Sequence, residues 1–165
     1  MTYEVKGMTL IPQQKSMSCW YASARMLLQW RMDKAQQSLA HLVPPELDAE
    51  CQKIRDSNNG ITNVGLIAMA KRLGLKTVPP MTPQADLVHH WLSRYGPLWV
   101  NGVGHITVIA GIRKMGGTHQ VKVYDPSPVS KGRVNWRDYV SWYLNDTWSG
   151  RDTSAGAQTI FLRCP

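Results

Sequence analysis

The sequence predicts an α+β fold in which a helical N-terminal half packs, as one of two facing layers, on a C-terminal antiparallel sheet. Three observations carry that reading. Up to Tyr95, apolar residues recur at helical spacing between capping residues, whereas from Leu98 onward short β-branched runs take over. One segment, Ser18 to Arg31, has almost no polar face, which suits a helix buried in the middle of a domain. With 165 residues and 43% hydrophobic content, the chain suits one domain spanning 1–165.

Local signals place each element. The stretch from Tyr3 to Pro12 reads as extended chain. In the helix from Ser18 to Arg31, Trp20, Tyr21, Ala22, Ala24, Met26, Leu27, Leu28 and Trp30 surround the axis. Further helices are expected over 34–42 behind Asp33 and over 46–56 behind Pro44 and Pro45. Another runs from Val64 to Leu73, with Thr62 as cap and Gly74 as stop, and another from Pro83 to Tyr95, with Thr82 as cap. Strands are expected at LWVNG (98–102), HITVIAGI (105–112), QVKVYD (120–125) and TIFLR (159–163), each bounded by Gly, Pro or Asn. RKMGGT makes the second and third of these a hairpin. NWRDYVSWYL near residue 140 reads as a short helix, and SGRDTSAG (149–156) as a mobile loop.

Composition narrows the function classes. Lys and Arg number 19 against 11 Asp and Glu, a formal charge of +8, yet the cations are scattered with no long basic run and no aromatic interleaving. Nucleic-acid binding is therefore not expected. No apolar run approaches the length of a bilayer span, and MTYEVKGMTL lacks the basic-then-apolar layout of a secretory signal, so a soluble chain without membrane insertion is expected. Three cysteines, an odd number in a domain of this size, argue against a disulfide framework and for free thiols.

A thiol in the first turn of a helix sits where backbone N–H groups and the helix dipole favour an anion, and Cys19 has that placement. Gln13, six positions upstream, offers a carboxamide N–H₂ that would join the Cys19 N–H in holding an oxyanion, with Gln14 as an immediate competitor.

The segment QQKSMSCWYASARMLLQW resembles the nucleophile region of papain-like cysteine proteases, where Gln, five residues and then Cys-Trp open the central helix. GPLWVNGVGHITVIAGI and VKVYDPSP follow in that family's order. The resemblance is nearest to the bacterial branch that holds plant-pathogen effector proteases and interbacterial toxin domains. It is more distant to the leader peptidases of bacteriocin exporters, which usually carry Asp-Cys-Gly where this chain has Ser18, Cys19 and Trp20. It implies a papain-like fold, Cys19 as nucleophile, His105 as base, Asp125 as the residue that orients the base, and Gln13 in the oxyanion hole, with no metal and no organic cofactor. It also implies an endopeptidase, secreted without a classical signal peptide, that acts as a monomer on a protein substrate in the cytosol of a target cell. A cognate immunity protein would then protect the producing cell. An amidase, deamidase or transglutaminase-like transferase is the alternative on the same site, and a noncatalytic binding module on the same fold is a third reading.

The strands support this reading independently. Alternation in QVKVYD puts Asp125 on the face of Val121 and Val123, and a carboxylate entering an apolar layer needs a partner. A hairpin pairing Gly111 with His119 sets His105 opposite Asp125. A register one residue over turns His105 to the other face, and Gly116 and Gly117 offer a site for a bulge that would decide it. Both registers are open at the level of sequence. His41, His89, His90 and His119 are rival bases. Asp86, Asp138 and Asp146 are rival carboxylates better explained as capping or solvated residues, and Cys51 and Cys164 read as structural. Adjacent His89 and His90 point about 100° apart on a helix, a poor arrangement for one metal ion. Trp136 is expected to shelter Asp125 and His105, while Asn101 and Asn135 read as turn or capping residues.

Overall fold

The computed structural model describes residues 1–34, 41–78, 84–102, 104–143 and 161–165. Strand β1 (Thr2–Glu4) precedes the long helix α1 (Cys19–Asp33), and a 3₁₀ turn at Pro45–Leu47 leads into α2 (Ala49–Asp56). Helix α3 (Asn63–Leu73) and α4 (Ala85–Tyr95) flank the two-residue β2 (Lys76–Thr77). Strands β3 (Leu98–Asn101), β4 (Ile106–Met115), β5 (Thr118–Asp125) and β6 (Arg133–Asp138) follow, then α5 (Tyr139–Trp142) and β7 (Phe161–Arg163).

The helix boundaries with strong capping chemistry fall where the sequence puts them. Thr62 Oγ1 accepts from Gly65 N–H at 3.0 Å, and Gly74 closes α3 at φ +79°, a conformation glycine adopts without a Cβ penalty. The helix expected over 46–56 is divided, because Asp48 leaves the 3₁₀ turn and becomes the N-cap of α2, accepting from Cys51 N–H at 2.9 Å. Helix α4 starts later than expected, behind Gln84. The helix expected at 34–42, the Thr82 cap, Asp146 and the 149–156 loop fall largely or wholly outside the described residues.

Among the described residues all strand pairings are antiparallel, in the order β2-β7-β3-β4-β5-β6, and β1 adds to β4 beyond the end of β3. Strand β6 corrects the sequence reading, which had only a helix in that region. Its RVNWRD side chains are mostly exposed, as suits a sheet edge, so little apolar alternation marks it.

The expected α+β fold, N-terminal helices packed on a C-terminal antiparallel sheet, is what the structure has, and beyond the two expected layers helices also cover the second face of the sheet. Trp20, Leu27 and Leu28 from α1 and Leu66, Met69 and Leu73 from α3 pack with Trp99, Val108 and Leu162. On the other face, Val88, Trp91 and Leu92 from α4 and Trp142 from α5 pack with Leu98, Val100, Ile109, Val121, Val123 and Phe161. The alternation in β3 explains the division: Trp99 points one way, Leu98 and Val100 the other. A sheet buried on both faces reads as nearly continuous apolar strands, which is what LWV and ITVIA look like.

Candidate active site

The start of α1 is fixed by a turn that ties Ser18 back to Lys15. Ser18 Oγ accepts from Lys15 N–H at 3.1 Å and donates to Lys15 O at 3.0 Å, so it does not cap α1. The first N–H groups of α1, where Cys19 sits, are thus left without a side-chain cap. Behind the sulfur the helix is anchored. Trp20 Nε1 donates to Asn59 O at 3.1 Å, Trp99 Nε1 donates to Trp20 O at 3.2 Å, and buried Ser23 donates to Ile106 O at 3.3 Å. The Ser23 bond ties the first turns of α1 to the residue after His105.

His105 lies in the connection just before β4. Gly102 N–H donates to His105 O at 2.6 Å, and Gly104 adopts φ +66°, so the turn that presents the ring is short and glycine-dependent. Asp125 ends β5 and is 4% exposed. Its Oδ1 accepts from His105 Nε2 at 2.6 Å and from Ser127 N–H at 2.9 Å, while Oδ2 accepts from Arg133 Nε at 3.1 Å.

The route by which His105 meets Asp125 differs from the register drawn on sequence. Gly111 pairs with Lys122 and His119 with Lys114, so Gly116 and Gly117, at φ +57° and +83°, are themselves the two-residue turn. The register shifts between Ile109 and Gly111, around Ala110, and the described ladder ends at Val108 and Tyr124. His105 therefore reaches Asp125 from beyond the paired strand, not from a facing rung.

With Nε2 on Asp125, Nδ1 is the ring nitrogen left for the Cys19 thiol, which lies near enough at the start of α1 to act on the imidazole's charge. Burial alone would push the His105 pKa down. The Asp125 and Cys19 interactions outweigh it and raise the value to about 9. Burial likewise works against the Asp125 carboxylate, but the His105 bond, the Ser127 N–H and Arg133 hold its pKa below the ordinary value. The geometry thus favours an imidazolium between a carboxylate and a sulfur, poised to activate a thiol as nucleophile.

A cleft of about 300 Å³ opens beside Cys19 and His105. Met17, Trp20, Ile61, Leu66 and Ile106 make its apolar wall, and buried Asn63 and Asn101 line its polar part, with Asn101 Nδ2 donating to Asn63 Oδ1 at 2.9 Å. This pair links the start of α3 to the end of β3 across the two halves of the chain.

Gln13 is buried next to the Cys19 turn. Its Nε2 donates to Lys15 O at 2.9 Å and Ser16 O at 3.0 Å, which takes up both amide hydrogens, and its Oε1 is buried without a partner among the described residues. Its backbone bonds to Pro126 O and from Ser130 N–H, at 2.9 Å each, so Gln13 braces the loop after Asp125 against the turn before Cys19. Gln14 is exposed and its Nε2 turns to Pro12 O at 3.3 Å.

The remaining candidates lie elsewhere. Cys51 and Cys164 are buried in the core, and His89 packs edge-on to Tyr3 at 5.7 Å. Asp138 caps α5 through Ser141 N–H at 2.9 Å, and Asn135 is exposed on β6. Trp136 corrects another expectation. It pairs with Lys122 three residues along β6 from the Asp125–Arg133 rung, and Arg113 stacks over its ring at 4.2 Å, so it covers Gly111 and not the Asp125–His105 pair.

The model of a protein family described as "Papain-like cysteine protease AvrRpt2" matches residues 2–147. The chain belongs to the papain-like cysteine proteases. This protease is also similar to solved structures. UfSP from C. elegans superposes with a TM-score of 0.59 at 15% identity, covering 100% of this chain and 34% of that one. A double glycine motif protease from an AMS/PCAT transporter, solved with the leader peptide, gives 0.58 at 14% identity, covering 98% and 95%. A chain from work on the mite allergens Blo t 1 and Der p 1 gives 0.58 at 13% identity, covering 98% and 69%. At these identities the structural matches speak for the fold, and the protease spans about a third of the UfSP chain. No curated protein sequence matches it.

Three features in and around the site escape sequence reasoning: Ser23, the Asn63–Asn101 pair, and Arg133 on Asp125. The helical position of Ser23, four residues after Cys19 and so on its side of α1, is the one local signal among them.

Proposed function

We propose that this cysteine protease is an endopeptidase that works through Cys19, His105 and Asp125. The observation that carries the reading is the His105 ring, held on one nitrogen by a buried carboxylate at 2.6 Å and facing a half-buried thiol at the mouth of a cleft. Cys19, as thiolate, attacks the scissile carbonyl carbon, and its S–C bond forms as the carbonyl π electrons move to oxygen. The Cys19 N–H and the Gln13 carboxamide hold that oxyanion, Gln13 releasing one of its two carbonyl bonds as substrate enters. The tetrahedral centre collapses, the C–N bond breaks, and the His105 imidazolium protonates the leaving amine. Water, deprotonated by the now neutral His105, then attacks the thioester and releases the acid and the thiol. Asp125 keeps the ring in the tautomer and orientation that both steps need.

The biological setting belongs to the same proposal. The chain acts as a secreted effector or interbacterial toxin in the target-cell cytosol, and a cognate immunity protein blocks the cleft in the producing cell. The resemblance of the Cys-Trp segment supports this. It is compatible with the finding that, among the described residues, no helix is long and apolar enough to cross a membrane. Proteomes of cells expressing the wild type and Cys19→Ala test both parts. New peptide N-termini that depend on Cys19 are expected; side-chain mass shifts without chain scission would replace the endopeptidase by a deamidase or transferase.

A further inference from the structure

Arg133 lies in β6 directly opposite Asp125, so the strand register itself brings the guanidinium to the carboxylate. The two oxygens of Asp125 divide their work. Oδ1 serves His105 and the Ser127 N–H, and among the described residues Oδ2 has Arg133 as its single partner, through Nε at 3.1 Å. The carboxylate side chain is 6% exposed, whereas that of Arg133 is 59% exposed.

We propose that Arg133 is a positioning residue of this site, holding the outer oxygen of Asp125 so that the inner one stays aimed at His105, and tempering the negative charge that the imidazolium feels. The inference rests on the Cys19, His105 and Asp125 reading given above. Three physical points support it. A carboxylate held at one oxygen alone can pivot about its Cβ–Cγ bond, and a donor on the second oxygen fixes the plane. A guanidinium is charged at every working pH, so it draws on the Asp125 charge from the side away from the ring. Among the described residues, the titratable and charged side chains that act most on the pair are Cys19 from α1, His105 itself, and Arg133 from β6, so Arg133 is the main countercharge to Asp125 besides the imidazolium. Since Arg133 is exposed, solvent screens its effect to a modest one.

Iodoacetate tests this without any knowledge of the substrate. As an anionic reagent it reacts fastest with a thiolate beside an imidazolium, so its rate at Cys19 should be bell-shaped in pH, with the alkaline limb reporting the loss of the His105 proton. Rates at Cys19 are read by peptide mapping in wild type, Arg133→Gln and Arg133→Lys, with Cys51 as internal reference and the thermal midpoint as a check on folding. In Arg133→Gln the alkaline limb should move up by about half a pH unit, because the imidazolium then has the whole carboxylate charge, and the plateau should fall about threefold. Arg133→Lys should return the limb to the wild-type position while recovering only part of the plateau. A bell in the wild type that keeps both its alkaline limb and its plateau in Arg133→Gln overturns the role of Arg133 and leaves the Cys19 site standing; a limb that moves down overturns the tempering of charge by Arg133 and supports its hold on the carboxylate. If Arg133→Gln is poorly folded, a limb in Arg133→Lys displaced as far as about half a unit overturns it too, since the charge is retained there. Wild-type Cys19 that reacts no faster than Cys51 and shows no bell overturns the underlying reading and this inference with it.

Discussion

Two thiols in this protein stand in the first turn of a helix, Cys19 at the start of α1 and Cys51 near the start of α2, and their surroundings make them opposites. Cys51 is fully buried and its N–H is taken by the Asp48 cap. Burial, with the Asp48 carboxylate beside the sulfur, pushes its pKa up to about 12 despite Arg72. Cys19 is half-buried, has no side-chain cap in front of it, and meets an imidazole. A helix dipole is common to both, so it cannot be what separates them. What the sulfur faces decides, and that is set by a distant part of the chain.

Exchanging each thiol breaks the comparison most sharply. Cys19→Ala is expected to lower peptide hydrolysis by at least about 10³-fold with little change in thermal midpoint. Cys51→Ala should leave turnover within about twofold and cost on the order of 1 kcal/mol of stability, measured by denaturant unfolding, because it opens a small void in the core.

Asp125→Asn sharpens the account of what Cys19 faces. Turnover should fall by roughly 10²-fold or more, and the alkaline limb, near pH 9 in the wild type, should move to lower pH as the imidazolium loses its partner. Stability should follow the same proton. The folded ring binds it more tightly than the unfolded one, so the His105–Asp125 pair stabilises the fold fully below the ordinary value of 6.5 and loses that contribution as pH rises through about 9. Thermal midpoints across that window should decline in the wild type and much less in Asp125→Asn.

The smallest expected effect is at Trp136, which stands over Gly111 and beneath Arg113. Trp136→Ala should leave the pH profile unchanged and cost about 1 kcal/mol or less, read by thermal unfolding. A displaced alkaline limb would return Trp136 to the catalytic neighbourhood.

The same contrast between local and distant causes explains what was legible in the sequence. Thr62 and Gly74 bound α3 through bonds within a few residues, and the all-apolar α1 announces its burial, so both are readable one segment at a time. Cys19 starts α1, Asp125 ends β5 and His105 lies just before β4, positions where their chemistry stands out from packing residues. The bulge around Ala110 and the exposed edge strand β6 depend on partners far along the chain, so the hairpin register drawn on sequence is displaced. Arg133 acquires meaning only through β6, and Asn63 with Asn101 only when α3 meets β3. The second helical face was hidden for a related reason, since apolar strands look alike whether one layer or two cover them.

On the proposed mechanism His105 is what sets Cys19 apart from Cys51 and Cys164, and competitive labelling of the three thiols reads that difference. With limiting iodoacetamide at about pH 6.5, below the range in which ordinary thiols ionise, the wild type should be modified at Cys19 at least about 10²-fold faster than at either buried cysteine, and His105→Ala should lose most of that advantage while remaining folded. Equal labelling of Cys19 in wild type and His105→Ala would contradict the account.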